Sequence, residues 1–290
     1  MKLILSRKGF DSSFGGCPSP IFEDGSFLSL PIPHSFKSVP TPDPAGRINF
    51  SDITGLKRIS PIVEDLTSRR KKPVKGSDAV HLDPDLRNDS LARRAGWRPL
   101  FGQSGSAQSH LDNQNVGLGD IFLFFGWFRR VEQREGQLRF KPGAPKLQML
   151  FGWLKVGDIW RVETDACRMP EWAAYHPHVT SRYEHNQRNT IYVADGDSVT
   201  YDAGTFRSFT DQLVLTEPGK SRSRWRLPKW FYPSYGRSVL SHHANPNRWR
   251  LGNEYAYLQS VAIGQEFVLD TKDYPEAVGW ATDLIARNAA

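Results

Sequence analysis

The sequence predicts an α+β protein with a mostly antiparallel, barrel-like β-sheet, few helices and long loops. Short apolar runs typical of strands outnumber helical patterns and do not alternate with them, which argues against a doubly wound parallel sheet. Phe-Gly-Trp occurs at 125–127 and again at 151–153, and Gly-Asp-Ile occurs at 119–121 and again at 157–159. We therefore expect the two runs that carry these repeats to be neighbouring antiparallel strands, in a small barrel analogous to those of base-reading modules.

Composition narrows the class of protein. The chain has 290 residues, of which 39% are hydrophobic and 12% aromatic, enough to build a core. A net charge of +7 and a pI of about 9.4 favour polyanionic partners such as nucleotides or nucleic acid. Two cysteines, Cys17 and Cys167, are too few for a disulfide scaffold. With no visible signal peptide and no apolar stretch of transmembrane length, we expect a cytoplasmic protein without a membrane partner.

The first predicted strand, residues 3–6, leads directly into a charged loop. Arg7, Lys8 and Asp11 follow it, with Gly9 between them. Two cations at a strand end favour an anion site, in which Arg7 and Lys8 bind phosphate and Asp11 serves as a ligand or acid–base group. The alternative is a solvated strand end.

The remaining elements outside the candidate sites follow from local pattern. Residues 27–32 are a predicted strand, and 37–46 an irregular proline-rich connection. Residues 59–67 are predicted to form a short helix with one apolar stripe. Near the C-terminus we expect a strand over 266–269 and then a helix that begins around Pro275. This last helix carries an apolar stripe, so we assign it packing and no chemistry.

The stretch 99–130 has two halves of opposite character. Residues 102–119 form a predicted polar loop rich in glycines and amides, with Gln103, Gln108 and His110 in it. The rest is an apolar run that predicts a strand buried on both faces. Glycines allow close backbone approach and amides bind flat polar ligands, so Gln103 and Gln108 are candidate substrate contacts. The alternative is a loop whose amides satisfy its own backbone.

Two further polar blocks contain residue types that bind metals. His81 and Asp83 share one face if their segment is extended, which makes half of a facial metal set. His176 and His178 have the same spacing. We predict that His81 and Asp83 supply two ligands and that His110, His176 or His178 closes the set, which would suit a divalent metal such as Fe(II). The alternatives are a carboxylate that caps a turn and a polar surface loop.

Residues 218–250 hold basic residues and no acid, with aromatic rings between them. Cations bind phosphate and rings stack on bases, so Arg224, Arg226, Trp225 and Trp230 are candidate nucleic-acid contacts. The alternative is that the aromatic residues belong to the core.

Long blocks of the chain resemble one family, the nucleotide modification associated domain of the third type. The blocks include SRKGFDSSFGG (6–16), AVHLDPDL (79–86), GWRPLFGQSGSAQSHL (96–111), VGLGDIFLFFGWFRR (116–130) and LQSVAIGQEFVLD (258–270). The resemblance runs from Met1 almost to the C-terminus, which implies that residues 1–290 are a single domain of this kind. The family is linked to hypermodification of bases in phage and bacterial DNA. Membership implies a nucleotide or nucleic-acid substrate and other DNA-modification proteins as partners.

Two classes of function remain open from the sequence. The first is a metal-dependent enzyme that modifies a nucleotide or DNA base, with Asp11, His81, Asp83, His110 and His176 as catalytic groups. Histidines and aspartates scattered through polar blocks favour it, because binding alone needs no group that titrates near neutral pH. The second is a non-catalytic reader of modified bases that uses the basic aromatic block. The chain has no phosphate-binding loop, zinc-protease helix, nucleophile elbow or zinc cysteine pair.

Overall fold

The computed structural model describes residues 1–34, 48–55, 57–165, 168–179, 188–196, 202–234, 237–262 and 264–289. The predicted proline-rich connection at 37–46 and Cys167 lie outside these ranges. The assignment of residues 1–290 to one domain stays a prediction.

One large sheet organises the chain, and its centre is the pair of long strands β4 and β6. Its strands are β1 (Lys2–Arg7), β2 (Ser19–Ile21), β3 (Leu100–Gln103), β4 (Ile121–Arg134), β5 (Gln137–Phe140), β6 (Leu147–Arg161), β7 (Thr190–Ala194), β8 (Ala203–Thr205) and β12 (Glu266–Asp270). The order is β12-β1-β4-β6-β7-β3, with β2 and β5 also pairing with β4 and β8 with β6. The Phe-Gly-Trp repeats lie in β4 and β6, which pair antiparallel, so their predicted neighbourhood is confirmed.

The sheet is open, so the prediction of a barrel-like sheet is wrong. Most of its strand pairs are antiparallel, as predicted, but the sheet is mixed. β1 and β2 both run parallel to β4. In the described part of the chain no backbone ladder joins the edge strands β3 and β12. Instead, the helix that follows β3 packs against β12, and one side-chain contact, from Gln103 Nε2 to Glu266 Oε1 at 2.6 Å, links the two edges. The alternation of apolar and polar residues within each strand does not show whether β3 and β12 pair to close the sheet.

A second, three-stranded sheet contains β9 (Arg224–Pro228), β10 (Trp249–Leu251) and β11 (Tyr255–Gln259), in the order β10-β11-β9. Along β9 the burial alternates, with Trp225 and Leu227 inside and Arg224 and Arg226 partly exposed. This alternation is the pattern of a sheet with one buried face. Trp225, the aromatic residue of β9, therefore belongs to the core.

Four α-helices occur in the described residues: α1 (Ile59–Thr67), α2 (Gly105–Asn113), α3 (Val162–Asp165) and α4 (Glu276–Asn288). The predicted helices at 59–67 and near the C-terminus are confirmed as α1 and α4. The long polar loop predicted at 102–119 is wrong in part, because α2 fills its centre. Only Gln108 and Leu111 of α2 are buried, so it has no apolar stripe to detect. No described helix is both long and apolar enough to cross a membrane.

Candidate metal centre

The segment that carries His81 and Asp83 runs between the chain near Ile32 and the edge strand β3. The His81 N–H donates to the Ile32 carbonyl at 2.9 Å, and Asp85 and Leu100 exchange two backbone hydrogen bonds. Between these anchors the chain turns, since the Asp83 N–H donates to the His81 carbonyl at 3.0 Å. The segment is thus not fully extended. His81 and Asp83 nevertheless converge and are both buried.

The Asp83 carboxylate is the centre of the group. Its Oδ1 accepts a hydrogen bond of 2.7 Å from the backbone N–H of Gly102 in β3. Its Oδ2 lies 3.7 Å from His81 Nε2 and 3.8 Å from His178 Nε2. Burial on its own would raise the pKa of Asp83, but the surrounding histidines hold that pKa well below its usual range. The side chain is therefore a carboxylate at neutral pH.

Hydrogen bonds to Asn189 fix the orientation of the His178 ring. Asn189 donates from Nδ2 to the His178 carbonyl at 2.7 Å, which leaves its Oδ1 as the acceptor for His178 Nδ1–H, also at 2.7 Å. The proton therefore sits on Nδ1, and the lone pair on Nε2 faces Asp83. Burial lowers the pKa of His178 to about 3, so the ring is neutral. Burial also lowers the pKa of His81.

His176 supports this group from a different position. The His178 N–H donates to His176 Nδ1 at 3.3 Å, so the proton of a neutral His176 is on Nε2. That nitrogen lies 3.3 Å from Asp83 Oδ1 but is not aligned as a hydrogen bond, and it has no other hydrogen-bond partner among the described residues. We therefore interpret the contact as electrostatic. In this tautomer Nε2 presents a proton to Asp83 and orients the carboxylate. That His176 is a metal ligand stays a prediction.

One ligand atom each from His81, Asp83 and His178 lie within 4.8 Å of one another, and all three residues are buried. This His-Asp-His group could hold a metal ion. Its chemistry fits, because two neutral imidazoles and a carboxylate need lose no proton before they bind a cation. Two histidines and one carboxylate on one side of an ion form the facial set of non-haem Fe(II) sites, and similar sets bind zinc.

A hydrogen-bond network fixes the two ligand-bearing segments relative to each other. Arg93 donates to both Asp85 oxygens at 2.7 Å, and the hydroxyl of Tyr175 donates to Asp85 Oδ2 at 2.5 Å. Trp97 Nε1 donates to the same hydroxyl at 2.7 Å. Asp85 follows Asp83 by two residues and Tyr175 directly precedes His176, so the network sets the spacing between the segments.

Close packing of β3 against His178 also requires a glycine at 102. A Cβ built on Gly102 would lie 2.3 Å from His178 Cδ2. Glycine was predicted to allow close backbone approach in this stretch, and at Gly102 it allows the backbone to lie against the His178 ring.

Lys8 lies beside this group, at the end of β1. Its Nζ pairs with Glu266 Oε1 at 2.9 Å and sits 4.4 Å from the centre of the Phe101 ring. The side chain of Lys8 is 9% exposed and that of Glu266 is 1% exposed. Gln103 also donates to Glu266 Oε1, so it is committed to this contact. The positive charge of Lys8 further lowers the pKa of His81, although burial is the larger cause.

His110 lies outside the His-Asp-His group, in α2. Its Nε2 is 2.9 Å from Ser241 Oγ, and its ring packs on that of His242 with centroids 4.2 Å apart. Ser241 Oγ also accepts the Val268 N–H of β12 at 2.8 Å, so its hydroxyl proton is available to His110. Burial lowers the pKa of His110.

Three further candidates have structural partners elsewhere. Arg7 donates to the carbonyls of Val261 and Ala262. Asp11 Oδ1 accepts two backbone N–H groups in its own loop, those of Ser13 and Phe14. Gln108 is fully buried and donates to Asp112 and Tyr192.

The basic aromatic block is also mostly structural. Trp225 is 1% exposed and donates to the Arg222 carbonyl. Trp230 is half-buried, packs against the core and stacks on Phe231, with ring centroids 4.1 Å apart. Arg224 and Arg226 remain partly exposed on β9. A ring that is buried in the core cannot stack on bases, so Trp225 does not offer the predicted stacking surface. That Trp230, Arg224 and Arg226 bind nucleic acid stays a prediction.

Sequence reasoning missed several residues around the centre: Asn189, Tyr175, Arg93, Glu266 and His34. The half-buried ring of His34 lies 5.8 Å from that of His81. Asn189 stands directly before β7 and could have been suspected as a partner of the nearby histidines. The others carry no local signal, because their partners are far away in the sequence.

Comparison with known proteins adds a family but no relative of known activity. No significant match was found among curated proteins or among solved structures. A family profile described as nucleotide modification associated domain 3 matches residues 2–270, which is most of the chain and confirms the resemblance noted above. The matched region includes every residue of the His-Asp-His group and of the network around it. The chain therefore belongs to the nucleotide modification associated domain 3 family.

Proposed function

We propose that the protein is a metal-dependent enzyme of nucleotide or DNA base modification, with its metal held by His81, Asp83 and His178. One observation supports this above all: three buried ligand atoms converge within 4.8 Å. A cation held by all three groups would offset the unfavourable burial of the carboxylate.

The orientation of the ligands supports the same proposal. The hydrogen bond from His178 Nδ1–H to Asn189 Oδ1 and that from the Gly102 N–H to Asp83 Oδ1 leave His178 Nε2 and Asp83 Oδ2 directed towards each other. Such outer hydrogen bonds are typical of metal-binding histidines and carboxylates. Three protein ligands would leave positions on the ion for water, substrate or O₂, so the ion could act as a Lewis acid or in oxidation.

The remaining residues would act on the substrate or the ligands. His176 orients the Asp83 carboxylate. Lys8 places a largely buried ammonium group near His81, where its ion pair with Glu266 offsets its charge. His110, in the separate contact with Ser241, is no ligand in this proposal.

The alternative function, a non-catalytic reader of modified bases, finds less support. A reader needs exposed rings for stacking, and Trp225, Phe231 and Trp249 are all buried. A reader also has no use for a buried His-Asp-His group.

Metal analysis of the full chain tests the proposal. After anaerobic reconstitution with Fe(II), and in parallel with Mn(II) and Zn(II), elemental analysis should find stoichiometric metal in the wild type. His81→Ala, Asp83→Ala and His178→Ala should each lose it while circular dichroism stays unchanged. His110→Ala is the matched control and should keep the metal. A wild type free of every metal tried, or normal metal in all three variants, contradicts the proposal.

The link to base modification needs its own measurement. In cells that naturally encode the chain, mass spectrometry of digested DNA and of the nucleotide pool should find a modified nucleoside that disappears when Asp83→Ala replaces the wild type. An identical nucleoside profile in both would refute a catalytic role for the metal in modification.

A further inference from the structure

A cavity of about 140 Å³ shares a wall with the metal centre. Leu82, Asp83 and Pro84 line it on that side. Its other walls come from residues 26–31, from the start of α1, and from β6 and the end of β8. The proposed function makes no use of this cavity.

The cavity suits a single flat ring. Its lining is mostly apolar and includes Leu28, Pro31, Ile59, Leu86, Phe151 and Phe206. An engineered apolar cavity of about 150 Å³ takes up benzene, so a cavity of this size accommodates one six-membered ring. A purine has a second, fused ring and would require the walls to move. The hydroxyl-bearing residues Ser29, Thr54 and Ser90 also line the cavity and could bind the polar edge of a heterocycle.

Cations surround the mouth of the cavity. Lys57, Arg87 and Arg207 all line it, but Lys57 pairs with Asp24 and Arg87 with Asp89. Arg207 is exposed, and no carboxylate in the described part of the chain pairs with it. Arg207 is therefore the cation available to an anionic ligand. An apolar slot for a ring beside an unpaired guanidinium is complementary to a nucleotide, which joins a flat base to a phosphate.

We infer that this cavity binds the pyrimidine base of a nucleotide, with the phosphate on Arg207. The inference rests on the proposed function and adds the class of substrate. It places the base against the Leu82–Pro84 wall, next to the carboxylate that would hold the metal.

Binding measurements on the metal-loaded full chain test the inference. Isothermal titration should show that dCMP and dTMP bind about tenfold or more tightly than dAMP and dGMP, because only one ring fits. Arg207→Gln should weaken dCMP about tenfold, since a charge-assisted contact to phosphate is lost, and should leave deoxycytidine unchanged. Arg134→Gln, at an exposed arginine outside the cavity, is the control and should change neither.

A second variant fills the cavity. Thr205→Phe should abolish binding of both dCMP and deoxycytidine, and circular dichroism checks its fold. If it does not fold, Arg207→Gln still decides, since an exposed side chain can be changed without disturbing the core. Equal binding of purines and pyrimidines, equal effects of Arg207→Gln on dCMP and deoxycytidine, or no nucleotide binding at all would each overturn the inference.

Metal content measured in the same samples separates this inference from the proposed function. Normal metal without pyrimidine preference overturns the inference alone. Absent metal contradicts the proposed function, while the nucleotide titrations still report on the cavity.

Discussion

Tyr175 and Asp85 lie 90 residues apart in the chain, yet their side chains share a hydrogen bond of 2.5 Å. Each stands within three residues of a member of the His-Asp-His group. The bond therefore joins the two chain segments that must approach each other for His178 to face Asp83.

Removing the Tyr175 hydroxyl should destabilise the His-Asp-His group without removing a candidate ligand. We expect Tyr175→Phe to lower the free energy of unfolding by about 1–3 kcal/mol, because Asp85, Arg93 and Trp97 each lose a partner. Metal affinity should fall in parallel. Urea denaturation and titration in a chelator-buffered metal series measure the two effects. Tyr257→Phe is the control, because its ring keeps the contact with Arg250, and it should match the wild type. If Tyr175→Phe has wild-type stability and metal affinity, the network does not position the two segments.

A methyl group at position 102 should displace His178. In Gly102→Ala the added Cβ would overlap the imidazole, so the ring or β3 must move, at a cost of about 1–3 kcal/mol. We expect weaker metal binding, measured by equilibrium dialysis. Gly117→Ala adds the same methyl group where no atom lies within 4 Å, and it should have no effect. Equal metal binding in the two variants would argue against His178 as a ligand.

The side-chain oxygen of Asn189 should matter more than its nitrogen. Asn189→Leu removes the acceptor for His178 Nδ1–H, and loss of such outer contacts typically lowers metal affinity by roughly 10–100-fold. Asn189→Asp keeps an acceptor and should retain most of the affinity. Competition with a metal-binding dye ranks the two variants. If Asp and Leu are equally damaging, the oxygen does not set the tautomer of His178.

Acid should destabilise the fold through His243 as well as through the metal centre. Burial lowers the pKa of His243 to about 4, and the charge of Arg248 lowers it further, although the hydrogen bond to the Ser241 carbonyl opposes this shift. The folded pKa lies below the unfolded value of about 6.5, so the unfolded chain takes up the proton first. The stabilisation is complete above pH 6.5 and is lost as the pH falls towards 4, by roughly 2–3 kcal/mol.

Unfolding free energies measured at several pH values check this dependence. Below pH 6.5 the wild type should lose stability more steeply than His243→Gln, which has no proton to take up. Parallel curves for the two proteins would show that His243 does not contribute.

The sequence predicted the members of the candidate centre better than their geometry. Histidine and aspartate two residues apart drew attention to His81, Asp83, His176 and His178, all of which the structure brings together. That His81, Asp83 and His178 bind a metal stays a prediction. The tautomers that separate His178 from His176 depend on Asn189 and on a backbone contact, and residue spacing cannot reveal them.

Errors elsewhere have physical causes. In β9 an arginine alternates with Trp225 and Leu227, and that period of two already indicated one buried face. The prediction that Trp225 stacks on bases rested on the neighbouring charges and not on this period. α2 was missed because only Gln108 and Leu111 of it are buried, so no apolar stripe marks a helix. The barrel was predicted wrongly because sheet closure depends on the twist accumulated over many strands.

Because the sheet is open, the edge strand β12 needs a residue that covers its backbone, and Ser241 does so. β12 is an edge strand, and exposed edges recruit strands from other molecules and start aggregation. Ser241 occupies both backbone groups of Val268, since its hydroxyl accepts the Val268 N–H and its own N–H donates to the Val268 carbonyl at 2.9 Å. One residue thus blocks a site at which a foreign strand could dock, and the same hydroxyl holds His110 on α2 across the gap.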